Sequence, residues 1–207
     1  MAICCRAMGG SVLFQDALQA RLDIIQPTAA MLRDYDAQDT LQPTPHVEAL
    51  IQALHARGTG VFLISGGFTQ MIHPWASKLG IAHERVLANT IRFNEQGTYA
   101  GFDADAFTSR SGGKAAAMQH LVDCGMPGPF LMVGDGVTDL EAKPPADAFL
   151  GYGGIITRQA VQNAADWFIT DFAEVLPFVQ DGGCASGSAE VKCALHQQRV
   201  QPNAVTS

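Results

Sequence analysis

The stretch FLMVGDGVTDLEAKPPADAFLGYGG, residues 130–154, decides the fold. It opens on a continuous apolar run that breaks into a glycine-bearing loop, the pattern of a strand buried on both faces of a parallel sheet. A second apolar run, AFLGYGG, follows within the same stretch. The design recurs upstream in VFLISGG, residues 61–67, where a β-branched apolar run meets Gly66-Gly67. Between the two lies KAAAMQHLVDC, 114–124, with helical spacing. The alternation goes on through TRQAVQNAA, WFIT and DFAEVLPFV. Helix and strand in alternation imply an α/β fold whose parallel sheet is covered on both faces, and ligands in such sheets bind at the carboxyl ends of the strands.

Working outward, HVEALIQALHARG from 46 to 58 puts Val47, Leu50, Ile51 and Leu54 on one helical face, with Gly58 placed just past the C-cap. Residues 11–25 set Phe14, Leu18, Leu22 and Ile25 at helical spacing, with Ser11 as the expected N-cap and Pro27 as breaker. Residues 68–80 read as a helix kinked near Pro74. RVLANTIRF, NEQG and TYAGF read as short strands joined by a turn. Residues 181–207 have no aromatic residue and no sustained period, which predicts a disordered tail. The domain reading is 1–44 as an N-terminal helical segment, 45–180 as the α/β core and 181–207 as the tail.

Of the 207 residues, 47% are hydrophobic and 16% charged, the balance of a globular body. Thirteen Lys plus Arg against twenty Asp plus Glu give a net charge of −7, which argues against nucleic acid and anionic membranes as partners and for a small-molecule substrate. Five scattered cysteines form no CxxC and no zinc spacing, as expected of reduced intracellular thiols. No apolar run reaches the roughly 18–20 residues of a membrane span, and the N-terminal residues lack a signal layout. A cytoplasmic protein is expected, with the reservation that a targeting peptide would be lost along with any missing N-terminal segment.

Three places carry candidate chemistry. Ser65-Gly66-Gly67 sets a hydroxyl at a strand end beside two glycines that let backbone N–H groups approach an anion, although an ordinary strand-to-helix turn explains the tripeptide alone equally well. In VGDGVTD, Asp135 and Asp139 lie four residues apart in a glycine loop. Two carboxylates there suit hard Mg²⁺, which takes oxygen ligands and keeps several waters; a helix N-cap is the plainer role for either one. The loop lacks the third glycine of a dinucleotide fingerprint. Lys114 opens a helix, where the macrodipole disfavours a cation, and this points to a local anion; a solvated lysine is the plainer reading.

Taken in order, FLISGG, SGGK and VGDGVTDLEA resemble the second, third and fourth motifs of the haloacid dehalogenase superfamily. RAMGGSVLFQDALQARL, VFLISGGFTQMIHPWASKLGI, YAGFD and GDGVTDLEAKPPADAFLGYGG resemble eukaryotic phosphoserine phosphatases nearly throughout residues 6–178. The resemblance implies a Rossmann-like parallel sheet of the haloacid dehalogenase type with a partial small helical cap. It implies that Ser65 and Lys114 bind the phosphoryl group, with Gly66 and Gly67 giving backbone donors. It also implies that Asp135 ligates Mg²⁺, that Asp139 supports the metal site and that Thr138 sits close by. In the cap, Met8, Gly9 and Arg21 match positions that close over the substrate, with Arg21 pairing with the serine carboxylate. Without the resemblance, Arg21 would read as a solvated residue on a polar helix face.

One departure is severe. Family members begin with a strand ending in DxDx(T/V), whose first Asp attacks phosphorus and whose second is general acid and base. No such motif precedes RAMGG here, and FDADA, 102–106, follows a hairpin-like segment and reads as a loop coincidence. The sequence therefore reads as N-terminally truncated, with the first central strand missing. Burying one large apolar side chain is worth roughly 1.5–3 kcal/mol, so losing several rivals a domain stability of about 5–15 kcal/mol. Low stability is the expected result, and a cooperative thermal transition of the isolated chain well above room temperature would contradict it. The function implied is Mg²⁺-dependent hydrolysis of O-phospho-L-serine in serine biosynthesis through an aspartyl phosphate, with the activity of this chain itself left open. The alternatives are a non-catalytic isoform or fragment that binds phosphate or full-length subunits, and a related phosphatase for another small phosphorylated metabolite. A homodimer is compatible with the sequence.

Overall fold

A computed structural model describes residues 13–38 and 42–181. The chain divides into two compact units, one formed by 1–41 and 62–117, the other by 42–61 and 118–207.

In the first unit, α1 (Phe14–Ile25) and α2 (Ala29–Ala37) precede the parallel pair β1 (Leu63–Phe68) and β2 (Val86–Asn89). Helix α4 (Thr69–Lys78) follows β1 directly and contains Pro74. The antiparallel pair β3 (Ile91–Phe93) and β4 (Tyr99–Phe102) comes next, and helix α5 (Gly113–Asp123) begins in this unit. Leu18 and Leu22, one helical turn apart, bury against Ile91, and Phe14, Phe68, Phe93, Tyr99 and Phe102 pack around them. The amphipathic spacing of 11–25 thus has a partner, the β3–β4 hairpin. Leu13 stands at the N-cap of α1 with no side-chain cap bond. Ser11 lies outside the described residues, as does the tail beyond Asp181. Strand β1 runs three residues further than the apolar pattern implies, because its extended backbone continues through the glycines to Phe68.

The second unit is built on the parallel sheet β5 (Leu131–Gly134), β6 (Ala148–Tyr152) and β7 (Trp167–Ile169), with β6 in the middle. Its position explains its sequence: AFLG is wholly buried, and Phe149 and Leu150 are among the most enclosed side chains. Helices α6 (Val137–Leu140), α7 (Gln159–Ala164) and α8 (Leu176–Asp181) follow successive strands. Helix α3 (Val47–Ala56) supplies Leu50 to a core with Leu150, Trp167, Ile169, Phe172, Val175 and Val179. The expected Gly58 sits past the α3 C-cap with φ 74°, the left-handed backbone that glycine adopts without cost. Asp166 ties β6 to its neighbours, accepting from Phe149 N at 2.7 Å and pairing with Lys143.

Beyond the sheet of the first unit, His73 of α4 stacks on His83 with ring centroids 3.9 Å apart, and His83 Nε2 lies 3.0 Å from Ser77 Oγ. Burial, and then the neighbouring His83, hold the His73 imidazole below its ordinary value; Glu84 acts in the opposite direction. A histidine depressed in the folded state takes up its proton more readily when unfolded. The stability tied to it is therefore complete above the unfolded value near 6.5 and is lost as pH falls through the folded one. The melting temperature is expected to drop on that side by less than about 4 °C, the shift 1 kcal/mol produces in a chain of this size. His73→Asn should flatten this part of the profile; an unchanged profile would contradict the pairing.

Candidate active site

The residues singled out in the sequence fall into two groups, one in each unit. In the first unit, the β1–β2 ladder pairs Ser65 with Ala88 and then Phe68 with Asn89, so Gly66 and Gly67 bulge out of register. Within the bulge, Gly67 N–H donates to Ser65 Oγ at 3.0 Å. A hydroxyl that accepts this bond keeps its own hydrogen to donate. Space at both glycines is tight: a side chain at Gly66 would press on Phe14 of α1, at 3.3 Å, and one at Gly67 would press on Ser65 Oγ, at 3.2 Å, so either neighbour would have to give by a few tenths of an ångström. Asn89, fully buried, donates from Nδ2 to Gly66 O at 2.9 Å.

Lys114 lies in the first turn of α5, part-buried, after Gly112 in the left-handed region. Its helix start is pressed against the 3₁₀ turn Phe107–Ser109, since a Cβ at Gly113 would come within 2.2 Å of Phe107 O. Two links join this segment to the Ser65 bulge. Thr108 Oγ1 donates to Asn89 Oδ1 at 3.1 Å, and Phe14, which covers Gly66, donates its N–H to Ser111 Oγ at 3.4 Å. Arg21 of α1 keeps a buried Nε with no hydrogen-bond partner among the described residues, so the sequence reading of a solvated arginine does not hold for that atom. Met8 and Gly9 lie outside the described residues.

The DxD of FDADA is spent locally, as expected of a loop. Asp103 Oδ1 receives Arg92 Nη2 at 3.0 Å and the N–H of Asp105 at 3.2 Å.

In the second unit, Asp135 follows β5 directly, and Asp139 occupies the third position of α6. Asp139 is buried, and its Oδ2 accepts the N–H of Gly136 at 3.0 Å. Neither aspartate is the N-cap, which is Gly136; Asp139 caps the helix instead from its third position, reaching back to the N-cap N–H. Gly134 is required beneath it, because a Cβ there would lie 2.1 Å from Asp139 Cγ. Thr138 is exposed beside it. Sequence reading missed Arg158, which donates from Nη1 to both the carbonyl and the carboxylate of Asp135. Its only sequence signal is a lone cation ahead of the helical pattern QAVQNAA. A guanidinium already balances the Asp135 charge, and the two carboxylates offer oxygen donors only. That set fits a hard dication completed by water and a substrate oxygen. Among the described residues no three His, Cys, Asp or Glu side chains gather into a larger cluster.

A family model described as haloacid dehalogenase-like hydrolase matches residues 6–144. The human phosphoserine phosphatase is 45% identical over 171 residues, covering 83% of this chain and 76% of the human protein. The chain belongs to the phosphoserine phosphatase family of haloacid dehalogenase-like hydrolases. A family member from Arabidopsis thaliana, named as chloroplastic, is 44% identical and is covered over 59% of its length. The crystal structure of a phosphoserine phosphohydrolase-like protein from Francisella tularensis superimposes with a TM-score of 0.73 at 28% identity, over 84% of this chain and 81% of that one. The α/β fold with parallel strands read from the sequence is the family's fold, and the chain's chemistry is that of a phosphatase family.

Proposed function

We propose that these residues bind and orient O-phospho-L-serine for hydrolysis to L-serine and phosphate. The main support is the Ser65 bulge, in which the Gly67 N–H donates to the serine Oγ and so leaves the hydroxyl its own hydrogen for a phosphoryl oxygen. Lys114 at the start of α5 supplies a positive charge for the same oxygens. The buried Nε of Arg21 is a donor awaiting an acceptor, which the serine carboxylate provides. Met8 and Gly9 complete the cap side of this reading, with 1–44 as cap, 45–180 as core and 181–207 as tail.

Asp135 and Asp139 would hold Mg²⁺, with Thr138 nearby, and the ion when bound would neutralise phosphoryl charge. The residues of this chain bind and orient. The attack on phosphorus and the proton transfer to the leaving oxygen belong to a DxDx(T/V) pair that the sequence does not contain. Cytoplasmic location, a role in serine supply and a homodimeric state are parts of the same proposal. Among the described residues no helix is long and apolar enough to cross a membrane. Nothing observed favours a different phosphorylated metabolite.

The test compares phosphate release from phosphoserine, phosphothreonine and a sugar phosphate, with Mg²⁺, by the chain joined to a DxDx(T/V) strand. Phosphoserine is expected to be preferred by at least about tenfold in kcat/KM, the worth of one well-placed polar contact. Equal rates on the sugar phosphate would remove the substrate assignment while leaving the phosphatase family intact.

A further inference from the structure

The bulge at Ser65-Gly66-Gly67 forfeits ladder bonds, and a buried side chain takes their place. The ladder pairs Phe68 with Asn89 directly after Ser65 with Ala88, so the two glycines have no strand partner there. Asn89 is 0% exposed, and its amide is used at both ends: Nδ2 donates to Gly66 O at 2.9 Å, and Oδ1 accepts from Thr108 Oγ1 at 3.1 Å. A buried amide side chain in a run of apolar strand residues is costly unless each polar atom is matched, and this one is matched on both sides.

The Gly66–Gly67 peptide is trans, so the Gly66 carbonyl and the Gly67 N–H lie antiparallel in one rigid plane. Pinning the carbonyl oxygen therefore aims the N–H. That N–H is the one donated to Ser65 Oγ, which leaves the serine hydroxyl its own hydrogen to donate. At its other end the strut is anchored in Thr108, part of the turn against which Gly113 and the start of the Lys114 helix are pressed. A hydrogen-bonded chain thus runs from Thr108, in the turn against which the lysine segment packs, through Asn89 to the peptide that sets the serine.

We propose that Asn89 and Thr108 are positioning residues for anion binding. They touch no ligand themselves; they fix the Gly66–Gly67 peptide plane, and through it the Ser65 hydroxyl, in register with the Lys114 helix. The inference rests on the reading of the Ser65 bulge as a phosphoryl cradle. It adds a specific claim: the geometry of the cradle is set from residues 89 and 108 rather than by the glycines alone.

The experiment titrates inorganic phosphate into the ¹⁵N-labelled 207-residue chain and follows the Gly67 amide, beside the Ser65→Ala, Thr108→Val, Thr108→Ser and Asn89→Asp variants. Thr108→Val keeps the side-chain shape and removes the donor, so the strut is loosened without a cavity. The Gly67 amide is expected to move before any phosphate is added, and phosphate is expected to bind about 3–10-fold more weakly, the worth of one neutral hydrogen bond. Thr108→Ser, which keeps the hydroxyl, should restore both within about twofold. Asn89→Asp, which exchanges the donor for a carboxylate facing Gly66 O, should lose binding further; if it does not fold, the two Thr108 variants still decide. Phosphate affinity and Gly67 shift unchanged in Thr108→Val, in a chain whose binding is lost with Ser65→Ala, would overturn the inference alone. No phosphate binding at the Gly67 amide of the unaltered chain would overturn the cradle reading and the inference with it.

Discussion

Assayed alone with Mg²⁺ and O-phospho-L-serine, the 207 residues are expected to release no phosphate above background, and joining a strand that ends in DxDx(T/V) ahead of them is expected to raise the rate at least about a thousandfold. The reason lies in what each polar group is already doing. Ser65 accepts the Gly67 N–H, and no imidazole or carboxylate is bonded to it as a base among the described contacts. Of the two DxD strings, the one at 103–105 is closed on itself, with Asp103 holding Arg92 and the Asp105 N–H, and the one at 34–36 lies exposed within helix α2 rather than at a strand end. Asp135 is engaged by Arg158, and Asp139 caps its own helix. Binding, orientation and charge neutralisation can all come from these residues, whereas the attacking carboxylate that the family resemblance implies, the first Asp of DxDx(T/V), is not among them. Turnover by the 207 residues themselves would place the nucleophile among them, and isolating the phosphorylated chain after a quench would find it.

Gly134→Ala is expected to be the most damaging single methyl in the metal-side loop. The added carbon would sit 2.1 Å from Asp139 Cγ and 2.4 Å from its Oδ2, well inside van der Waals contact, in a spot where Asp139 is buried. Asp139 must then rotate away, which breaks its bond to Gly136 N and moves the second carboxylate off the loop. Overpacking of a tight site costs about 1–3 kcal/mol, and the lost cap about 1 kcal/mol more. The variant should melt lower by several degrees and bind Mg²⁺ more weakly by calorimetry. Retention of both would mean that the loop yields without cost, contrary to the packing described. Asp139→Asn offers the control: it leaves an amide oxygen for Gly136 N and so should spare stability more than metal affinity.

Much of this was legible in the sequence because apolar runs ending in glycine announce buried strands ending in loops. FLMVGDG and VFLISGG both became strands, and the helix at 46–58 stopped where Gly58 implied. The resemblance of FLISGG, SGGK and VGDGVTDLEA to the superfamily motifs led to the same family that the comparisons show. Asn89 escaped notice since VLANTIRF scans as plain strand. A single polar residue in such a run signals either an outward face or a buried partner, and only the bulge opposite it tells which. Arg158 escaped because its partner lies 23 residues upstream in a different loop, a distance no periodicity reaches. The capping and metal roles of Asp139 could not be separated by spacing, since both place a carboxylate at the third position of a helix. The extension of β1 through its glycines was hidden because glycine carries no strand preference.

The second unit is discontinuous, and that matters while the chain is being made. Leu50 and Ile51 of α3 leave the ribosome early, but Phe172, Val175 and Val179, which share the core with Leu50, come much later. Arg57 binds Val179 O at 3.0 Å across 122 residues of sequence. At roughly 5–20 residues per second that separation is about 6–25 s of synthesis. Throughout that interval an apolar helical face waits uncovered while the intervening segment, 62–117, can collapse on its own local pairs. A nascent chain of this order is a natural client for chaperones, and slowing translation after Ala56 would prolong its exposure.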